Sequence, residues 1–127
     1  MSAADKNAFT SAAEGLLAWP ATDVDAIAVR MLVEEHEILD RPEFQHVTVV
    51  QGEAGVRADW VNLSLRLDKL VRDEEERQFL EIVLAIALGR QIFLDCVLRL
   101  DERRLAIVLR ALVTWAGVDS IAVGTRS

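Results

Sequence analysis

The sequence predicts a mainly α-helical fold: a compact bundle of about four helices, near 5–18, 23–40, 73–100 and 101–116, with a short β-hairpin within 44–67. Three observations carry this expectation. Apolar residues recur at three-and-four spacing over most of the chain. Side chains that cap helices stand at the starts of those stripes, and Pro or Gly stands at the ends. The 127 residues contain no Pro/Gly/Ser-rich linker, which fits one helical domain over 1–127.

The first helix rests on Phe9, Ala12, Ala13, Leu16 and Leu17, which share a helical face. Trp19-Pro20 closes it, because a residue before proline avoids helical angles. The second opens at Thr22 or Asp23, with Asp23 and Asp25 near the positive end of the helix dipole. Its stripe is Val24, Ile27, Ala28, Met31, Leu32, Ile38 and Leu39, and Pro42 follows.

The third stretch supports two readings. Val47-Thr48-Val49-Val50 has strand composition, and Gly52-Glu53-Ala54-Gly55 has turn composition. Beyond the turn, Val61, Leu63, Leu65 and Leu67 alternate with polar residues, as in a strand. Yet Trp60, Leu63, Leu67 and Leu70 also share a helical arc, and Asp59 suits a helix cap. Strand or helix stays open for 57–71.

Acids at Asp73 to Glu76 suit the start of the next helix. Asp73/Arg77 and Asp95/Arg99 have the four-residue spacing of helix ion pairs, and Gly89 marks a bend or a break. The last helix starts at Asp101 and ends at Gly117, with Leu105, Leu109, Leu112, Val113 and Ala116 expected to face inward. A short extended piece is expected around Ile121 to Val123.

Composition narrows the function. Apolar residues make up 52% of the chain, and its six glycines raise the share to about 57%, above the ~45–50% usual for soluble domains. A small globule with that surplus shows some of it, and a large exposed apolar patch marks an interface. The net charge of −7 lies wholly in residues 1–63, where 11 acids face 4 bases. That half repels phosphate backbones, so nucleic acid is a disfavoured partner. Met1 to Asn7 is polar with no apolar run after it, so no secretory signal is expected. The longest apolar run, Ile82 to Leu88, is far short of the ~20 residues that span a bilayer. A cytoplasmic protein without membrane contact is the resulting expectation.

Catalytic, metal and cofactor signatures are lacking. There is no GxSxG, Walker A, GxGxxG or HExxH spacing, so no cofactor is expected. Cys96 lies among apolar neighbours, where a thiol is a small hydrophobe with a raised pKa. Glu34-Glu35-His36-Glu37 crowds potential ligands, but adjacent helical residues point apart, so no metal is expected.

The reading is therefore a non-enzymatic protein–protein interaction module, either a homodimer or a small subunit or adaptor of a larger assembly. Leu84 and Leu88 interrupt the polar stripe of Arg77, Glu81, Asp95 and Arg99, and Val29 and Val33 lie behind the main stripe of 23–40. These four are the candidate apolar interface, with Arg103 and Arg110 as polar contacts. Glu35 lies inside an apolar stripe, so it either reaches solvent at the rim or is a buried carboxylate with a partner. Two alternatives remain: a small helical enzyme or apolar-ligand binder with a pocket near Glu35, and a nucleic-acid-linked regulator using 101–116.

Overall fold

The computed structural model describes residues 12–19, 22–53, 55–118 and 120–123. The chain is mainly helical and carries one antiparallel two-stranded hairpin. In order, the elements are α1 (12–18), α2 (Asp23–Glu35), α3 (Pro42–Thr48), β1 (Val49–Gly52), β2 (Gly55–Ala58), α4 (Trp60–Leu70), α5 (Glu74–Leu88), a 3-10 turn (Leu94–Arg99) and α6 (Glu102–Trp115). The part of the first expected helix at 5–11 lies outside the described residues.

Local chemistry sets most boundaries. Thr22, Asp59, Asp73 and Asp101 each accept a hydrogen bond from a backbone N–H in the first turn of the following helix. Gly89 takes φ +68° and ends α5, with the Arg90 N–H closing onto the Ala85 carbonyl. Gly117, at φ +74°, does the same for α6, and the Val118 N–H reaches the Val113 carbonyl.

At five places the structure departs from the sequence expectations or decides what they left open. The helix over 23–40 stops at Glu35, because His36 turns to φ +56°; the 37–40 turn then aims Ile38 and Leu39 into the core. Val47 and Thr48 end a helix opened by Pro42, so the strand begins only at Val49. Residues 60–70 are helix: Trp60, Leu63 and Leu67 face inward, while Val61 and Leu65 lie on the outer surface. The single helix over 73–100 ends at Leu88, and the chain re-forms only a 3-10 turn before α6. Residues 121–123 form no strand, although the Val123 carbonyl accepts from Arg110.

The hairpin pairs Val49 with Ala58 and closes at Gly52–Gly55. Two hydrogen bonds fasten its base: the Asp59 N–H to the Thr48 carbonyl at 2.7 Å, and Asn62 Nδ2 to the Val47 carbonyl at 2.9 Å. Gly15 allows α1 to sit on this hairpin, since any Cβ there would overlap Val56 Cγ2. At the centre, α2 packs against both α5 and α6, and α4 lies between α3 and α5. One buried apolar cluster draws residues from all six α-helices, among them Leu16, Leu32, Phe44, Leu63, Phe79 and Ile107. Trp60 Nε1 donates to Asp25 Oδ1 at 2.8 Å, joining α4 to α2 by a polar contact at the edge of this cluster.

Candidate interaction surface

Glu35 is fully buried and fully partnered. Its Oε1 accepts the Ile38 N–H at 2.9 Å. Its Oε2 accepts from Arg103 Nη2 at 2.7 Å and Arg104 Nε at 3.0 Å. Its carbonyl accepts from Arg103 Nη1 at 2.9 Å. A rim position reaching solvent is thus excluded. Burial alone would raise this carboxyl's pKa, but the Ile38 N–H and the two guanidiniums outweigh it and hold the group below the usual carboxylate range.

Arg104 carries the network onward. Its Nη1 lies 3.3 Å from Glu75 Oε2 and its Nη2 lies 3.9 Å from Glu76 Oε2. Glu76 in turn pairs with the buried Arg41, which donates to the Leu70 carbonyl. The sequence pattern placed none of Arg41, Glu75, Glu76 and Arg104 at a site, and the acids Glu75 and Glu76 counted only toward a helix start. A signal was present. Arg103 and Arg104 occupy the first turn of α6, where the helix dipole disfavours cations, and Glu35 ends α2, where it disfavours anions. Two helices that each misplace charge against their own dipoles bring those charges together here.

The six predicted interface residues are dispersed. Val29 and Leu84 are buried in the chain's own core, which corrects their assignment to a partner. Helices α2, α5 and α6 pack closely enough that a single copy covers both. Val33 and Leu88 are half-buried against the same core. Arg103 is engaged by Glu35, with Glu37 at 3.5 Å. Arg110 holds Glu34 Oε2 through Nε at 3.2 Å and Nη2 at 3.1 Å. The acidic N-terminal half therefore does meet the arginines of α6, within one copy. A nucleic-acid reading of α6 loses its basic face to these carboxylates.

The inward face of α6 is also corrected. Arg104, Ala106, Ile107, Val108 and Ala111 are buried, while Leu109, Leu112 and Ala116 face solvent and Leu105 and Val113 are half-buried. Both expected ion pairs resolve differently. Asp73 caps α5, and Arg77 turns to Asp68 at 2.6 Å. Asp95 and Arg99 sit on a 3-10 turn, where four-residue spacing no longer shares a face.

Among the described residues, the three most exposed large apolar side chains lie in the connector between α5 and α6. Phe93, Leu94 and Leu98 are 84%, 83% and 81% exposed. Their neighbours Cys96, Val97 and Leu100 pack against the core, so the segment has a seated face and an outward one. Arg90 Nη1 donates to Ser64 Oγ at 2.7 Å and ties the start of the connector to α4, whose Val61 and Leu65 are also exposed. Burial pushes the Cys96 thiol pKa up, and Asp95 adds to it, which fits an unreactive packing role.

A groove of about 1050 Å³ runs between α2 and the C-terminal half of α6. Ile27, Met31, Ile107 and Trp115 line it, with Glu34 and Arg110 in its walls. The ligand-pocket expectation named Glu35, but that carboxylate is sealed on another side by its arginines and does not line the groove. Among the described residues, no three His, Cys, Asp or Glu side chains form a metal-binding group, and no helix is long and apolar enough to cross a membrane. No family model, curated protein or solved structure matches this chain.

Proposed function

We propose that this chain is a non-enzymatic protein–protein interaction module, a homodimer or small subunit of a larger assembly, that docks through the connector between α5 and α6. One observation carries the reading. Phe93, Leu94 and Leu98 are each more than four-fifths exposed on a segment whose other face is already seated on the core. Leaving a Leu or Phe side chain in water forgoes about 1.5–3 kcal/mol of burial, and exposed apolar surface beyond single scattered residues marks interaction sites. The polar groups that could do chemistry are instead consumed: Glu35, Arg104 and Arg110 all face fixed partners.

The test compares native particle size in extracts of cells that make the protein. The wild-type chain should run well above its 14.1 kDa monomer mass. The double variant Phe93→Glu/Leu98→Glu should run as the monomer, with a melting temperature within a few degrees of wild type because neither side chain belongs to the core. Equal sizes for the two proteins would remove the reading.

A further inference from the structure

The connector between α5 and α6 has little of its own to fix its shape. Its 3-10 turn runs for six residues, Leu94–Arg99, and none of its side chains is fully buried. Such turns have poorer hydrogen-bond geometry than an α-helix and rarely exceed three or four residues. Support comes from outside, at both ends. At the start, Arg90 Nη1 donates to Ser64 Oγ of α4 at 2.7 Å. At the end, the Asp101 N–H donates to Glu75 Oε2 of α5 at 3.0 Å. The same Glu75 oxygen lies 3.3 Å from Arg104 Nη1, in the first turn of α6. One carboxylate oxygen joins the first turn of α5, the last residue of the connector and the first turn of α6. The two ends are unequal. Arg90 is an exposed long side chain, so its bond competes with water and costs rotamer freedom. Glu75 is only 27% exposed, it faces the buried Arg104, and its bond from Asp101 is charge-assisted. Neighbouring carboxylates cannot replace it. Glu35 is taken up by Ile38, Arg103 and Arg104, and Glu76 by Arg41 and the Arg72 N–H.

We propose that Glu75 is a positioning residue for docking: its carboxylate clasps the connector at Asp101 and keeps Phe93, Leu94 and Leu98 displayed on a seated strap. The proposal rests on the interaction-module reading and adds to it the residue that prepares the surface. Glu75 acts through the backbone of Asp101. A strap ordered before docking spares the complex the cost of ordering it. With the clasp released, the seated form is only a fraction of the population. The apparent dissociation constant then rises by the inverse of that fraction.

Amide hydrogen exchange of the purified wild type, Glu75→Ala and Glu75→Gln tests the clasp, and native size over a dilution series of extracts tests its purpose. Both variants remove the acid from the start of α5, but glutamine keeps an acceptor at the same reach, so their difference isolates the clasp. The informative amides are Cys96 and Leu100, which donate to the Phe93 and Val97 carbonyls. Faster exchange there reports loosening of the whole strap. In Glu75→Ala these two amides should exchange about tenfold faster relative to Val83 and Leu84 of α5, and in Glu75→Gln they should stay within about threefold of wild type. The larger species in extract should dissociate at about tenfold higher concentration for Glu75→Ala than for wild type. Connector amides that do not change, or that speed up only in step with those of α5, overturn the proposal, and so does a glutamine variant as loose as the alanine one. A loosened connector with an unchanged dissociation profile overturns the positioning role while the interaction reading stands. A wild type that itself runs as the monomer removes the interaction reading and the role of Glu75 in it, whatever the exchange shows.

Discussion

Glu35→Ala is expected to cost about 3–5 kcal/mol of folding stability, a fall in melting temperature of roughly 10–20 °C for a chain of this size. The substitution leaves the guanidinium of Arg104, whose side chain is 7% exposed, without its closest acid. It also strips the Ile38 N–H of its acceptor at a buried helix end. Arg103 is 40% exposed and can turn to water, so Arg104 carries most of the loss. Replacing both partners, Glu35→Leu with Arg104→Met, should recover part of it, since an apolar pair avoids the stranded charge. Recovery stays incomplete because Arg103 keeps no carboxylate in the core and Glu75 loses its partner. Urea unfolding of the three proteins measures this directly. A melting temperature for Glu35→Ala within about 3 °C of wild type would show that the network carries no net stability.

The same carboxylate gives a pH signature. Its folded pKa lies below the ordinary value of 4.5. Its contribution is therefore complete above about pH 4.5 and drains away as pH falls through the lower folded value. Unfolding free energy of the wild type should drop below pH 4.5 more steeply than that of Glu35→Gln, which has no proton to take up there. Parallel curves in that window would assign acid sensitivity to other carboxylates.

Local signals were legible in the sequence where a residue acts on its own backbone. The caps Thr22, Asp59 and Asp101, the Gly52–Gly55 turn and the Gly117 stop all lie where their chemistry places them. Faces were harder, and for one physical reason. Several helices are apolar on a solvent side as well as a core side. Val61 and Leu65 on the outside of α4, interleaved with buried Leu63 and Leu67, imitate the alternation of a strand. On α6 the longer leucines Leu109 and Leu112 face out, while Ile107, Val108 and the small Ala106 and Ala111 are buried. Periodicity reports that a stripe exists and not which stripe meets the core. The partners of Glu35 were hard to find for a different reason: they arrive from 68 and 69 residues away, and only charges set against the dipoles of α2 and α6 point to them.

Leu84→Ala is expected to cost about 2–5 kcal/mol, as for other fully buried leucines, with the loss independent of protein concentration. Phe93→Ala is expected to change monomer stability by no more than about 0.5 kcal/mol and to weaken association instead. The pairing is informative because the sequence assigns Leu84 to an interface, on a helix apolar all round at its centre. In the fold that centre is wrapped: Ile82, Val83, Leu84, Ala85 and Ile86 are all buried by the chain itself. Covering the waist of α5 does not exhaust the apolar surplus: the most exposed of the remaining large apolar residues lie just past Gly89, where the helix has ended and the connector crosses the surface. Thermal melts at protein concentrations spanning about two orders of magnitude separate the two roles. A Leu84→Ala deficit that shrinks as concentration rises would return Leu84 to an interface, since mass action stabilises only contacts made between molecules.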